Sequence, residues 1–386
     1  MASQPLRQKY DVIIIGAGPA GSTLGSLLST KGLDVLLIDK HEFPRPKLCG
    51  GVITWKTRKL LKRLFAISFE KHFSVGAIAD HYFLYERERE KALQKSPEPF
   101  YFVDREKYDL ALVSLAKKSG CQTLFGSPVA DLDPQNNLII TKSGERFSSQ
   151  IIVGADGANS LVRKKIFKSV RPQTQLAVAF QTCVPMDRLK RAYQNFVPKI
   201  FAGLVSRGYG WMFPHEDHCL IGLWGLVRKN RNIRKTFIEF LNNIYASKIE
   251  RKTLIPAGLL PIRQLLTRPG ERKILLAGDA AGFVDALTGE GIHYAHQSAE
   301  SAARAIHDFF VSQEDGSLVQ SYQQHLSPLL KELIVSQRLS TLAYSRLRYF
   351  AYFLMKNPKF SSRLAETIHG IKGYSRLPLL SIGVRP

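Results

Sequence analysis

A chain of 386 residues can bury a full core and has room for about two domains. With 45% hydrophobic and 23% charged residues it has an ordinary globular composition, and no uninterrupted apolar run approaches the ~18 residues of a membrane-spanning helix. Its 55 Lys and Arg against 32 Asp and Glu give a net charge of +23, which favours anionic partners. There is no zinc-finger or RRM-type aromatic motif, so nucleic acid is not expected among them.

The opening MASQPLRQKY is polar and leads directly into an apolar strand, so no secretory signal is expected. Cys49, Cys121, Cys183 and Cys219 are scattered without a CxxC pair, which argues against structural zinc and against a disulfide framework. The expectation is a cytoplasmic protein in a reducing compartment, with peripheral contact to an anionic membrane surface as the membrane alternative.

Residues 12–15 are four apolar β-formers that run into Gly16-Ala-Gly18-Pro-Ala-Gly21. A small-residue segment of helical character follows, and a second apolar run at 35–38 closes on Asp39. This strand–turn–helix–strand order is what a dinucleotide site requires. Gly16 allows the tight turn, Gly18 lets backbone N–H groups approach a pyrophosphate, and Gly21 lets helix pack on strand. Asp39 stands 18 residues after Gly21, where an acid can accept from a ribose hydroxyl.

Pro44 and Pro46 prevent helix in HEFPRPKLCGGVIT (41–54), and Gly50-Gly51 gives the backbone freedom for close approach to a ligand. Cys49 beside them is either a flavin-face residue or a small buried apolar side chain. Residues 55–72 have an amphipathic pattern, with Leu60, Leu61, Leu64 and Phe65 on one face and Lys56, Lys59 and Arg63 on another. An ordinary surface helix and a membrane-surface helix both fit. The charge run 86–91 fits a solvated strand or hairpin tip.

A helix is expected from Asp104 to Lys118, then strands at 121–125, 129–132 and 138–141. Residues 151–157 form another apolar strand ending in Gly154-Ala-Asp156-Gly157, where Asp156 can hold a cofactor hydroxyl or cap the helix from Asn159. From 174 to about 261 the texture is β-rich, with strands at 175–184, 200–206, 209–214 and 219–227 around one helix at 230–247. Residues 273–277 return to a buried-strand pattern before Gly278-Asp279, and Gly289-Glu290-Gly291 opens a long helix at 292–310. The tail from 320 is helical and basic, with an apolar stripe of Leu339, Leu342, Ala343, Leu347, Phe350, Ala351 and Leu354 among Arg338, Arg346 and Arg348.

One dinucleotide motif with two further strand–Gly–Asp sites suits a long, extended cofactor, and FAD fits that length. These three sites resemble the FAD-binding fold of aromatic hydroxylases of the p-hydroxybenzoate hydroxylase type. Gly16-x-Gly18-x-x-Gly21 matches its ADP motif, Asp156-Gly157 its middle motif and Gly278-Asp279 its ribityl motif, while Arg105 matches an arginine near the cofactor. The closer resemblance is to the geranylgeranyl reductase family. Pro44-x-x-Lys47-x-Cys49-Gly50-Gly51, Tyr209-Gly-Trp211-Met-Phe213-Pro214 and the stretch from Gly278 to Gly291 carry it, in order, over nearly the whole chain. Two positions depart from the family pattern. Ala286 replaces a proline, and Gly222-Leu223-Trp224 replaces Gly-x-Gly, so that an inward indole at 224 would shorten or reshape the substrate channel.

The resemblance implies an α/β fold with a Rossmann-like FAD-binding domain (1–75, 100–170 and 265–315), an inserted β-rich substrate domain (76–99 and 171–264) and a basic helical C-terminal region (316–386). At the cofactor it implies Gly16, Gly18, Pro19, Ala20, Gly21, Asp39, Lys40, Lys47, Cys49, Gly50, Arg105, Val129, Asp156, Gly157, Gly278, Asp279, Gly289, Gly291 and Ile292. Cys49, Tyr209 and Trp211 are expected in catalysis, with His215 a further local proton donor. Tyr209, Trp211, Phe213 and Trp224 are expected against an apolar or polyene substrate, and no metal is expected.

The activity implied is FAD-dependent reduction of double bonds in a prenyl lipid or quinone. The alternative is a flavin-dependent monooxygenase or halogenase, acting on a partner protein or a secondary metabolite. No second GxGxxG is present for NAD(P)H. The electron donor is therefore expected to be NAD(P)H bound transiently or a redox protein.

Overall fold

The computed structural model describes residues 6–167, 175–247, 249, 254–312, 318–345 and 357–376. Two eight-stranded sheets organise them.

The first sheet has β1 (Lys9–Ile15) at its centre, with β2 (Val35–Ile38) and then β6 (Gln122–Leu124) on one side. On the other side come β9 (Arg146–Gly154), β16 (Ile274–Leu276) and β15 (Gly270–Glu271). Strands β6, β2, β1, β9 and β16 are parallel, which accounts for their apolar runs: a parallel sheet is covered on both faces. A short antiparallel pair, β7 (Val129–Asp133) and β8 (Leu138–Thr141), hangs from β9. Helices α1 (Pro19–Thr30), α4 (Arg105–Lys118) and α7 (Ile292–Ser312) pack together over this sheet, with α8 (Leu318–Ser345) against α7. The small residues of α1 and α7 allow that close approach.

The second sheet runs β14 (Ala257–Leu260), β10 (Ala177–Pro185), β13 (His218–Leu226), β12 (Gly208–Pro214), β11 (Lys199–Ala202), β4 (Val75–Glu86), β5 (Arg89–Val103) and β3 (Val52–Ile53). Its pairings are antiparallel except β11 with β4. Alternation along β12 and β13 sends Met212, Ile221 and Leu223 to one face, where α6 (Ile233–Ile244) covers them with Phe237, Phe240 and Leu241. Tyr209, Trp211, Phe213 and Trp224 go to the other face. Helices α2 (Trp55–Phe65) and α3 (Phe69–His72) pack with β3, β5 and α4, α5 (Leu161–Ile166) packs on β9, β16 and β7, and α9 (Pro358–Ile368) returns to lie on β5.

Most expected elements are found within a few residues. The amphipathic segment 55–72 is not one helix, however: Ala66 at the end of α2 adopts φ 53°, which turns the chain before α3 begins. The charge run 86–91 is the tip of the β4–β5 hairpin. In the tail stripe Leu339 and Ala343 are buried, whereas Leu347, Phe350, Ala351, Leu354, Arg346 and Arg348 lie outside the described residues. The side chain of Leu342 lies outside them too.

Candidate active site

The carboxyl ends of β1 and β9 meet at the first glycine cluster. Gly16 has φ +105°, and a Cβ on it would lie 2.4 Å from the Ala155 carbonyl oxygen. A Cβ on Gly21 would lie 1.8 Å from the Gly16 carbonyl oxygen, so Gly21 exists for packing of α1 on β1. Gly18, the residue before α1, is different: the nearest protein atom to a Cβ there is Arg45 Nη2 at 3.7 Å, and the space it would fill is cavity. The protein itself thus leaves room for a side chain at 18.

Asp39, at the end of β2, accepts from the N–H groups of Ala17 (2.7 Å) and His41 (2.9 Å). It therefore fixes the glycine loop, and its carboxylate also lines the cavity. Asp156 takes the capping role, one of the two expected for it. Its Oδ2 accepts from Leu161 N (2.6 Å) and Val162 N (3.3 Å), while its Oδ1 is buried with no partner. Burial raises its pKa. An orphaned carboxylate oxygen beside a glycine turn suits a ligand hydroxyl.

Arg105 opens α4 behind the Asp104 cap and forms a two-pronged contact with Asp109, Nε to Oδ1 and Nη2 to Oδ2, each 3.0 Å. Arg45 Nη2 approaches the same buried carboxylate at 3.3 Å. The guanidinium is thereby held in one orientation on the cavity wall. Beneath it, His296 of α7 bridges Thr23 Oγ1 and Tyr108 Oη, both at 2.7 Å, and burial followed by the Arg105 charge pushes its pKa down to about 3.

The loop from Asp285 to Gly291 is held from several sides. Asp285 Oδ1 accepts from Leu287 N, Thr288 N and Ser336 Oγ, and Oδ2 accepts from Tyr374 Oη and Tyr294 Oη. Tyr344 donates to the Leu287 carbonyl (2.8 Å) and Tyr209 to the Thr288 carbonyl. Asp279, which burial shifts upward in pKa, lines the cavity near this loop. Ala286 is buried among Trp224, Ile262 and Val284.

On the second sheet, Trp211 lies over Gly222, where a Cβ would come within 2.0 Å of the indole. Phe213 packs on Gly50, where a Cβ would lie 2.7 Å from the ring. Trp224 faces Tyr209 across the strand pair, with ring centres 5.5 Å apart, and Tyr344 closes on it at 6.0 Å. Trp211 Nε1 is buried without a partner. Burial raises the Tyr209 hydroxyl pKa, and Cys49 Sγ accepts from Gly51 N (3.4 Å). His215 belongs elsewhere. It stacks on His218 and faces Gly76, it is not on the cavity wall, and burial pushes its pKa down to about 4.

One cavity of about 740 Å³ joins these groups. Every cofactor residue expected from sequence lines it, including Lys40, Lys47, Val129 and Ile292, with the exception of Gly21; so do Tyr209, Trp211, Phe213 and Trp224. Sequence reasoning missed Tyr82, Phe100 and Phe102 of the long hairpin, and Ser361, Leu364 and Ile368 of α9. The last three follow i, i+3, i+7 spacing, a helical signal that was available. Among the described residues no group of His, Cys, Asp or Glu is arranged to hold a metal.

The FAD binding domain family matches residues 9–336, and the chain belongs to it. The protein is an FAD-dependent oxidoreductase, and the proteins it is similar to include ones named geranylgeranyl diphosphate reductase and digeranylgeranylglycerophospholipid reductase. It is 29% identical over 323 residues to geranylgeranyl diphosphate reductase of Rhodobacter capsulatus, covering 80% of this chain and 78% of that one. An uncharacterized protein of Methanosarcina barkeri is 31% identical over 303 residues, 78% of this chain and 75% of its own. In fold it resembles a geranylgeranyl bacteriochlorophyll reductase-like protein from Thermoplasma acidophilum, with TM-score 0.78 and 19% identity over 98% of this chain and 100% of that one.

Proposed function

We propose that the protein reduces carbon–carbon double bonds of a prenyl chain carried by a lipid or quinone, using electrons that an external donor passes to FAD. The observation that carries this reading is the continuity of one cavity from the glycine cradle to an aromatic row. A cofactor and an elongated apolar chain can lie end to end in it.

In this reading Gly16, Gly18, Pro19, Ala20, Asp39 and Lys40 hold the adenylate half, with Gly21 supporting the turn. Lys47, Arg105, Val129, Asp156 and Gly157 serve the middle, and Cys49, Gly50, Gly278, Asp279, Gly289, Gly291 and Ile292 the flavin end. The unpaired N–H groups where α7 begins favour negative charge near the ring's pyrimidine edge. When bound and reduced, FAD supplies hydride to one alkene carbon.

The protein's own groups do the rest. Tyr209, Trp211, Phe213 and Trp224 bind the chain and exclude water, and a proton for the second carbon is held at Cys49 Sγ or Tyr209 Oη. Burial keeps Tyr209 protonated, and its hydroxyl already donates to the Thr288 carbonyl.

No helix among the described residues is long and apolar enough to cross a membrane. The net charge of +23 supports transient docking on an anionic surface, where a prenyl lipid could enter. The donor is either NAD(P)H or a redox protein. The test compares reoxidation of the anaerobically reduced protein by geranylgeranyl lipids with reoxidation by oxygen. Fast reoxidation by lipid in the absence of oxygen supports the reductase; a fast reaction with oxygen and none with lipid selects the monooxygenase or halogenase chemistry.

A further inference from the structure

The turn at residues 289–291 carries a buried ion pair that hydride transfer does not require. Glu290 lies on the cavity wall between Gly289 and Gly291. Its Oε1 accepts from Thr54 Oγ1 at 2.8 Å, and its Oε2 is 2.6 Å from Lys56 Nζ. The two charged side chains are only 11% and 12% exposed. Lys56 Nζ also sits 4.9 Å from the centre of the Tyr294 ring. Thr54 and Lys56 begin α2 just after Cys49-Gly50-Gly51, so the pair clasps together two glycine segments that line the same part of the cavity.

The neighbouring charges do not neutralise Glu290 in place of Lys56. Asp285, in the same loop, is another carboxylate and is already surrounded by donors. Asp279 adds a further acid to the wall, and His293 on α7 is kept neutral by burial and by Lys56. Removing one member of such a pair leaves the other uncompensated in a poorly solvated place.

We propose that Lys56 and Glu290 form a charge-compensated pair that sets the reduction potential of the bound flavin, Glu290 fixing the turn and Lys56 cancelling its charge. The inference rests on the FAD site described above. Uptake of two electrons and one proton leaves negative charge on the flavin ring, and fixed charge nearby tunes that step. A bare carboxylate in the turn opposes reduction, and a bare ammonium favours it. The paired state lies between.

The experiment is the midpoint potential of the FAD-loaded protein, measured by equilibration with a reference dye, together with its FAD content. Glu290→Gln keeps the size and the Thr54 hydrogen bond but leaves Lys56 unneutralised. Reduction should become about tenfold easier, ~30 mV for two electrons. Lys56→Met should move the potential in the opposite direction, and the double variant should return close to wild type. If Lys56→Met does not fold, Lys56→Gln replaces it.

A clasp with a purely structural role would weaken FAD retention in all variants without shifts of opposite sign. Shifts of the same sign, no shift, or a double variant that fails to return would overturn the proposal. Wild-type protein that binds no FAD would instead overturn the cofactor site itself. Loaded variants with unmoved potentials would sink the pair alone.

Discussion

The two ends of the cavity are built on different physical terms. At the nucleotide end the constraints are backbone against backbone: Gly16 under Ala155 and Gly21 under Gly16 leave no room for any side chain. At the aromatic end they are side chain against backbone or side chain, as with Trp211 over Gly222 and Phe213 over Gly50. Backbone contacts cannot be traded for others without refolding the turn. Side-chain contacts can be exchanged one at a time. The first end is therefore fixed in shape, and the second can vary.

The largest effect should come from the glycine cluster, and it splits the two meanings of a glycine. Gly18→Val should leave the protein folded but without flavin, read as loss of yellow colour and of bound FAD. Gly21→Ala should instead damage the fold, since overpacking costs ~1–3 kcal/mol or more. Full flavin content in Gly18→Val would remove the basis for the cofactor placement.

Next in size is Trp224→Gly at the aromatic end. If the indole caps the channel, this variant should accept longer prenyl chains than wild type. A core tryptophan would instead cost ~3–5 kcal/mol on truncation to alanine, and similarly to glycine. Melting temperature and chain-length profile on the same sample decide. Lost stability with an unchanged profile would make Trp224 core alone.

A subtler contrast lies in two buried histidines. His369 fastens the end of α9 to both β5 and α2. Its Nδ1 accepts from Trp55 N (3.2 Å), which leaves Nε2–H to donate to Ser96 Oγ (2.9 Å). Burial, then Lys56, pushes its pKa down from 6.5 to about 4, whereas His296 at the nucleotide end goes to about 3. Both are neutral in the folded state and take up protons more readily when unfolded. Their stabilisation is complete above 6.5 and is lost as pH falls from there to the folded values. The two losses should run in parallel down to about 4, below which only the His296 contact with α1 and α4 goes on weakening, to about 3. Hydrogen exchange through that range checks this, and loss of protection around α9 ahead of α1 would count against it.

The smallest effect expected is on surface binding. Lys and Arg at 338–372 should give salt-sensitive attachment to anionic vesicles, about 1 kcal/mol per well-placed charge. Equal sedimentation with neutral and anionic vesicles, or none, would assign the basic tail to solubility or to a protein partner.

The same division explains what could be read from the chain alone. The nucleotide end was legible because its rules attach to single positions, such as Gly16, Gly18, Asp39 and Asp156, at fixed spacing. The row Tyr209, Trp211, Phe213 was legible because β12 keeps strict alternation. The long strands of the β4–β5 hairpin, unlike its tip at 86–91, were not, because register shifts at Val75/Ala77, Ala79/His81 and Leu84/Tyr85 break the two-residue period. The return of α9 onto β5, and the His296 bridge between α1 and α4, join residues hundreds of positions apart. No local pattern encodes such contacts. His215 shows the converse, a polar residue near the aromatic strand in sequence that packs against Phe102 and Gly76 and is not among those lining the cavity.

The central claim is that FAD and a prenyl chain share one cavity. It is tested most directly by a single anaerobic turnover. The reduced protein is mixed with a geranylgeranyl lipid, flavin absorbance is followed, and the lipid is then weighed by mass spectrometry. The account predicts reoxidation without oxygen and one double bond saturated per flavin oxidised. Flavin that stays reduced until air is admitted, with the lipid unchanged, would contradict it.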